Sequence, residues 1–489
     1  MTMNFKSTIN IPLVLRIEGF LLLMEGLFML TVLPATYLYH GIYTFSMPFS
    51  ALITLLTGFV LLIATRGHKG EKTSSRDGVF IVCTSWLVLS LFGAMPYLLS
   101  KSVPNFTDGF FEALSGFTTT GATILTNIEA VPKDILLWRS MTQWIGGLAI
   151  IVFTIAILPF LSMSGMQLFV AEMNGINYDK LHPRIMHTAW RIWGIYLFLT
   201  ILETLLLYLG DMNLYDALCH SMTTVSSGGF STRTANMGAF SNYSQVVVSI
   251  FMVLSGCNFS LLLLSLSWKS FAILKNQEFN AFLQFILLFG AGIGLFLLFG
   301  CHKSIGSSFR ESFFSVISSL TTTGFFVSDY TTWPAFVGII LFLLMFIGSC
   351  TGSASGGIKI FRHLIFIKNS MIELKRIIHP NAVLPVKING KSISTGGVYK
   401  NMTFILIYFL LFLFGAIVLL TMGSDFDTAM GASVATLSNV GTGIGRVGPS
   451  GSYVDFSIST KWILMLLMLL GRVELFSIIT LLSRGFWRN

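Results

Sequence analysis

Ten apolar stretches of roughly 20 residues each, the length that crosses about 30 Å of hydrocarbon as a helix, decide what this chain can fold into. They fall near 13–33, 43–65, 79–99, 136–158, 190–209, 244–267, 281–300, 335–367, 401–422 and 459–482. Inside a bilayer only helices and closed barrels satisfy their own backbone hydrogen bonds, and runs of this length are helical. Composition agrees, since AVILMFWYC make up 54% of the 489 residues and DEKR only 10%, too few charges to coat a water-soluble globule of this size. The 45 Phe and 45 Gly suit helices that face lipid and pack closely. The expected fold is therefore an all-α integral membrane protein with ten membrane spans. Soluble enzymes and disordered tails are excluded.

The net charge of +9 finds its explanation in topology rather than in a nucleic-acid partner. With the N-terminus inside, 21 of the 30 Lys and Arg fall on inner segments and 8 on outer ones, with Arg472 alone deep within a span. The positive-inside rule then places both termini in the cytoplasm. The first apolar run follows Lys6 and Arg16 but is long and lacks an A-x-A-like cleavage site, so it reads as a retained span. The five cysteines are isolated and give neither a disulfide framework nor a zinc site. No HExxH, GxxxxGK[ST] or GxSxG occurs, so no catalytic chemistry is expected and no organic cofactor. Gly443-Ile444-Gly445-Arg446-Val447-Gly448 matches GxGxxG but has no strand before it and no room for a βαβ unit.

Four outer connections, after the third, fifth, seventh and ninth spans, share one pattern: an acid, a short mostly apolar segment, a Ser/Thr/Asn stretch, then glycine. They run from Asp108 to Thr118-Thr119-Thr120-Gly121, from Asp216 to Ser226-Ser227-Gly228-Gly229, from Glu311 to Thr321-Thr322-Thr323-Gly324, and from Asp427 to Ser438-Asn439-Val440-Gly441. The acid precedes the glycine by 13 residues in three copies and by 14 in the fourth, and successive glycines are 108, 95 and 117 apart. The unit is span, re-entrant loop, span, repeated four times around one axial pore after a two-span preface. The boundaries are 1–66 for that preface, then 78–158, 186–267, 281–368 and 401–484 for the repeats, with a basic cytoplasmic segment over 369–400.

In each loop the acid is expected to cap a short helix of two to three turns whose negative C-terminal end points at the common axis. The following extended residues then present backbone carbonyls, and glycine permits the dihedrals this requires. Uncharged oxygens release a monovalent ion quickly, so the arrangement implies a permeation filter rather than a metal cage. Eleven acids against eight bases on the outer segments add a mildly negative mouth.

The TTTGA, SSGGF, TTTGF and SNVGTG segments at these spacings, with the two-span preface, resemble the membrane subunits of the Trk/Ktr/HKT potassium-uptake superfamily over nearly the whole chain, and the Trk branch rather than the shorter Ktr subunits. The resemblance implies potassium as the transported ion, bound by the backbone around Thr119, Thr120 and Gly121, Ser227, Gly228 and Gly229, Thr322, Thr323 and Gly324, and Asn439, Val440 and Gly441. These segments are shorter than the TVGYG filter of tetrameric potassium channels, which implies weaker discrimination against sodium. It also implies a bacterial inner-membrane location, a homodimer, and a cytosolic TrkA-type regulatory ring that binds NAD and ATP or ADP.

The eighth span is interrupted over 348–359, where eight of twelve residues are Gly, Ser or Thr. Such a stretch holds a straight helix poorly, and unwound backbone at membrane depth needs protein or water around it. It reads either as a small-residue packing motif or as an intramembrane gate loop, the latter favoured by the resemblance, with Gly348, Thr351, Gly352, Ser353, Gly356, Gly357 and Lys359 as its candidate residues. Arg472 is either half of a structural salt bridge or, as the resemblance implies, a pore-lining charge that repels cations or bonds loop carbonyls. Glu474 is a poor local partner for it, because i and i+2 do not face each other on a helix. Residues 359–400 hold eight Lys and Arg against Glu373 alone, which fits anionic lipid contact as well as docking of the cytosolic partner. The rival function is a symporter coupling potassium to protons or sodium, for which Glu203 and Glu474 are the candidate carboxylates. Glu18, Glu25 and Glu203 otherwise read as packing partners within spans.

Overall fold

The structure is a computed structural model that describes residues 9–40, 45–67, 75–157, 181–266, 273–382, 384–473 and 475–487. Lys6, Lys69, Lys72, Lys180, Lys269, Arg488 and Glu474, which entered the charge analysis, lie outside these. The regular structure of the described residues is helical apart from one small hairpin that pairs Lys387–Ile388 with Lys391–Ser392. Its Asn389-Gly390 turn has φ of 49° and 77°, the left-handed pair that a two-residue hairpin loop demands.

Among the described residues five helices are long and apolar enough to cross a membrane, 46–64, 76–99, 190–208, 277–300 and 395–421, and the bent pair Ile458–Arg472 and Leu475–Leu482 makes a sixth if it is one span. Their outward faces carry Leu52, Leu56, Phe59, Leu287, Leu288, Phe299, Leu406, Leu410 and Phe414, all exposed. The polar side chains are inside, where many close a hydrogen bond onto their own helix, as Ser50 Oγ does to the Ser46 carbonyl (2.7 Å) and Thr200 Oγ1 to that of Tyr196 (2.9 Å). Apolar outside and polar inside is the arrangement that a hydrocarbon solvent selects.

Two apolar runs expected to be single spans are broken. The run over 244–267 divides into the helices Asn242–Ser255 and Phe259–Leu266, because Gly256 ends the first and the Asn258 side chain accepts from the Ser260 and Leu261 N–H groups to cap the second. The run over 459–482 divides into Ile458–Arg472 and Leu475–Leu482, which lie at 116° to one another. The run over 335–367 is interrupted where expected, between Ala335–Leu344 and Ile360–Ile378.

Four short helices, Phe106–Phe117, Leu214–Val225, Ile305–Leu320 and Phe426–Leu437, sit largely buried among the long ones. Their caps differ from expectation. The capping residues are Asn105, Asn213, Ser304 and Asp425, each accepting from the N–H three residues on. Asn105 and Asn213 also donate from Nδ2 to the Asp108 and Asp216 carboxylates (2.8 and 2.9 Å), so each cap bonds both the backbone and the side chain of the acid. The repeated acids thus occupy the first turn rather than the cap, and Glu311 lies further along its helix.

The N-terminal helices Ile11–His40 and Ser46–Ala64 pack against each other, and the first bonds the rest of the protein through Glu18, which accepts from Thr84 and Ser85 (2.8 and 3.0 Å), and Thr36, which donates to Asp134 (3.2 Å). They cross at Gly19 and Gly58, where a Cβ on Gly58 would meet the Gly19 carbonyl oxygen at 2.8 Å. Gly58→Leu is expected to destabilise the protein by roughly 1–3 kcal/mol through overpacking, measured as a lower melting temperature in detergent with helix content unchanged.

Candidate functional site

Each short helix ends in the same way. Thr119, Ser227, Thr322 and Asn439 adopt left-handed φ of 51–55°. Their N–H groups donate to the carbonyls of Gly116, Thr224, Ser319 and Thr436, at 2.9–3.2 Å. The next N–H groups, of Thr120, Gly228, Thr323 and Val440, donate back to Ser115, Thr223, Ser318 and Ala435 at 2.8–3.0 Å. That pair of bonds is a Schellman ending, which glycine or asparagine usually supplies. A side-chained residue in this region, threonine above all, holds local strain of about 1–3 kcal/mol.

Two residues further on, Gly121, Gly229, Gly324 and Gly441 have φ of 76–81°. A Cβ on Gly121 would overlap the Gly228 carbonyl oxygen, one on Gly229 that of Thr323, one on Gly324 that of Val440, and one on Gly441 that of Thr120. The four contacts run from the first segment to the second, third and fourth and back to the first. The twelve residues singled out as the expected filter are thereby brought into one closed ring. Beside it lies a cavity of about 130 Å³ lined by Gly121, Gly229 and Gly441 together with Arg139, Asn236 and Tyr453.

Side chains around the ring fasten it. Gln143 Nε2 donates to the Gly228 carbonyl (2.6 Å) while its Oε1 accepts from the Phe230 N–H (3.0 Å). Tyr453 donates to the Gly441 carbonyl and Tyr330 to that of Gly443, both at 2.8 Å. Asn439 Nδ2 donates to Thr120 Oγ1 (2.9 Å), joining the fourth segment to the first. Arg139 Nε meets Glu112 Oε1 at 2.7 Å, its Nη1 donates to the Ser231 carbonyl (3.0 Å), and Glu112 Oε2 accepts from the Ile124 N–H (3.0 Å). This buried pair ties together the chain leaving the first and second segments.

None of Gln143, Glu112, Arg139, Tyr330 or Tyr453 was singled out from sequence. Gln143 did carry a signal, being an amide within an apolar span. The expected net excess of negative charge is unchanged by ion pairing, but its placement is narrowed, because five of the outer acids pair with bases: Glu112 with Arg139, Asp108 with Lys461 (2.7 Å), Asp216 with Arg233 (3.0 Å), Glu311 with Lys303 (2.7 Å) and Asp425 with Arg446 (3.4 Å). Of the other outer acids, Glu129 and Asp329 lie by the cavity, bonding Thr234 and Ser450 on its wall. Partial desolvation opposes their ionisation, and the hydrogen bonds from Thr234, and from Thr331 and Ser450, outweigh it. Both carboxyls are held below the usual carboxylate value, so their charge persists as pH falls through the ordinary carboxylate range.

The 348–359 loop packs against the ring. The Gly356 N–H donates to Thr322 Oγ1 (2.7 Å), and Gly356 lies so close to the Ser438 carbonyl that a Cβ would overlap it. Its neck is closed by Gly348 N–H to the Ile358 carbonyl (2.9 Å) and Ile358 N–H to that of Phe346 (3.0 Å). Gly352 and Gly357 take left-handed φ of 78° and 66°. Within the loop Ser349, Ser353 and Ser355 bond one another, and Lys359 Nζ donates to Ser353 and Ser355. Thr351 donates from its N–H and its hydroxyl to Glu278. Arg472 Nη1 donates to the Ala354 carbonyl (2.8 Å) and Nη2 to that of Gly146 (3.0 Å). Arg472 therefore bridges one loop carbonyl and one carbonyl of the helix Lys133–Ile157. The GxGxxG run forms a single 3₁₀ turn, Gly445–Val447, beside the fourth short helix.

Of the eight bases in 359–400, Arg362 is buried, with its guanidinium 3.9 Å from the Phe404 ring and bonded to Asn401 (3.0 Å). It and the loop-bonded Lys359 are thus committed to internal contacts.

An apolar exterior around buried polar helices and a closed backbone ring define a helical membrane protein of the ion-transport class. The chain belongs to the TrkH cation transport protein family, whose model matches residues 48–486, and so is a transport protein rather than an enzyme. It is 38% identical to the Trk system potassium uptake protein TrkH of Salmonella typhimurium over 443 residues, covering 89% of this chain and 91% of that one. It is 37% identical to TrkH of Vibrio parahaemolyticus over the full length of both, and 34% identical to TrkG of Escherichia coli over 99% of this chain and all of that one. The crystal structure of the potassium transporter TrkH from Vibrio parahaemolyticus matches it with a TM-score of 0.90 at 35% identity, covering 98% of this chain and 100% of that one.

Arg139→Met is expected to leave Glu112 buried without its cation and to cost about 3–5 kcal/mol, read as a lower melting temperature. The double variant Glu112→Gln/Arg139→Met should recover part of that loss.

Proposed function

We propose that this chain takes up potassium across the bacterial inner membrane through one axial pore formed by four repeats. The filter is the ring of Thr119 to Gly121, Ser227 to Gly229, Thr322 to Gly324 and Asn439 to Gly441. The observation that carries this reading is the cyclic approach of each glycine to the next segment's carbonyl, with a left-handed residue at each of four equivalent positions. Four short helices ending at one ring place partial negative charge there without a formal charge, which favours a partly dehydrated monovalent cation and lets it leave. Three residues per segment give a shallow filter and moderate preference for potassium over sodium.

The 348–359 loop is the gate, held under the filter by Gly356 and by Arg472, whose charge opposes a cation on the same path. Opening is controlled by a cytosolic TrkA-type ring that binds NAD and ATP or ADP and docks on the basic segment. The protein works as a homodimer with both termini cytoplasmic. The potassium-uptake names of its relatives, at 34–38% identity over most of the chain, support the substrate. Symport with protons or sodium is the second reading, favoured by one observation: Glu203 is wholly buried in the helix Leu181–Tyr208 beside Thr224 of the second short helix.

The test is the reversal potential of the purified protein in liposomes under a fixed potassium gradient, with and without imposed proton or sodium gradients. A potential set by potassium, unmoved by the proton gradient and moved by sodium only to the extent of its leak, is the expected result. A stoichiometric shift that Glu203→Gln abolishes would establish symport. Gly324→Ala, whose Cβ displaces the Val440 carbonyl, should bring the potassium and sodium permeabilities together, and unchanged selectivity in folded protein would remove the filter assignment.

A further inference from the structure

The gate candidate is anchored at a corner at the start of the helix Gln277–Gly300. Asn276 caps that helix, accepting from the Glu278 and Phe279 N–H groups at 2.8 and 3.2 Å. Glu278 is buried, with 3% of its surface exposed. One of its oxygens, Oε1, accepts three hydrogen bonds: from the Thr351 N–H (2.6 Å), from the Thr351 hydroxyl (2.9 Å) and from the Phe361 N–H (3.2 Å). Thr351 lies near the start of the 348–359 loop and Phe361 in the first turn of the helix that follows it. A single carboxylate oxygen therefore clasps both ends of the loop.

The adjacent residue faces the other way. The Gln277 N–H donates to Asn389 Oδ1 at the tip of the hairpin (2.8 Å), and Gln277 Oε1 accepts from Lys368 Nζ (2.6 Å). Lys368 Nζ also donates to the Lys387 carbonyl (2.8 Å), so helix, hairpin and corner form one unit. Hairpin and helix share a small core of Phe361, Ile365, Val386, Ile388 and Val398, separate from the main one. Two consecutive residues on a capped helix start thus hold the loop on one side and the basic segment on the other.

We propose that Gln277 and Glu278 form a mechanical coupler: Glu278 latches the 348–359 loop closed, and displacement of the hairpin and its helix is passed through Gln277 to that latch. Glu278 is a positioning residue, remote from the ion itself. The inference rests on the reading of this loop as a gate. The chemistry suits a latch, because two of the three donors are backbone N–H groups that movement of the corner leaves without their carboxylate, and hydrogen bonds to a charged acceptor are stronger than neutral ones. A structural clamp alone would need no link from the next residue to a surface hairpin.

Cys350, 2% exposed within the loop, is a native reporter of its opening. The rate of maleimide labelling at Cys350, taken as the difference from a Cys350→Ser background, and potassium flux in liposomes are measured on the full-length protein without any partner. Glu278→Gln should raise both by roughly 10-fold, the scale of one lost charge-assisted bond. Gln277→Ala and Asn389→Ala, which alter surface contacts and should leave folding intact, should raise labelling by a smaller factor in the same direction. Unchanged labelling in folded Glu278→Gln would overturn the latch. Faster labelling in that variant but not in the Gln277 or Asn389 variants would overturn the coupling to the hairpin. Faster labelling without faster flux would leave the coupler standing and refute the gate reading on which it rests.

Discussion

A backbone carbonyl occupying the place where a side chain would begin is the constraint on which this structure turns. At four points a glycine lies against the carbonyl of the next segment, and the cycle closes only if all four segments hold the same height and tilt. Each segment is aimed by the Schellman ending of its short helix, which places a left-handed residue at an unvarying distance before the glycine. The strain of holding threonine or serine there is sustained by the surrounding protein, as strained backbone at functional sites generally is. Gln143, Tyr330, Tyr453 and the Glu112–Arg139 pair hold the segments from outside the ring.

The rest of the fold follows from placing such polar backbone at membrane depth. Irregular chain is tolerated there only when protein satisfies it. The long helices with apolar outer faces therefore enclose the short ones. Asp108 and Lys461, 353 residues apart in the chain, lock the first short helix to the helix Ile458–Arg472. The 348–359 loop obeys the same rule through the Glu278 carboxylate, the Arg472 guanidinium and its own closed neck.

The ring was legible in the sequence because glycine at a left-handed position leaves a local signature, and four copies at similar offsets revealed it. The interrupted eighth span was legible for a similar reason, a density of Gly, Ser and Thr where helix propensity fails. The left-handed Thr119, Ser227 and Thr322 were not readable as such, since only tertiary packing puts these residue types there. The acids were assigned to caps, but Asn105 and Asn213 outcompete them by accepting from the backbone while bonding the acid itself. Ion pairs such as Glu112 with Arg139 and Asp108 with Lys461 join distant parts of the chain, so a count of outer charges gives their sum but not which acids are paired. The break at Gly256 to Asn258 lay inside an apolar run whose average concealed one asparagine and one glycine.

The claim that the four segments form a single cation-binding ring is tested most directly by anomalous scattering from crystals of this protein grown or soaked in thallium or rubidium. The account predicts a peak on the axis of the ring, encircled by the carbonyls of Thr120, Gly228, Thr323 and Val440 and lost when sodium replaces the heavier ion. Ordered protein with no axial peak, or with the ion bound only away from these four segments, would contradict it.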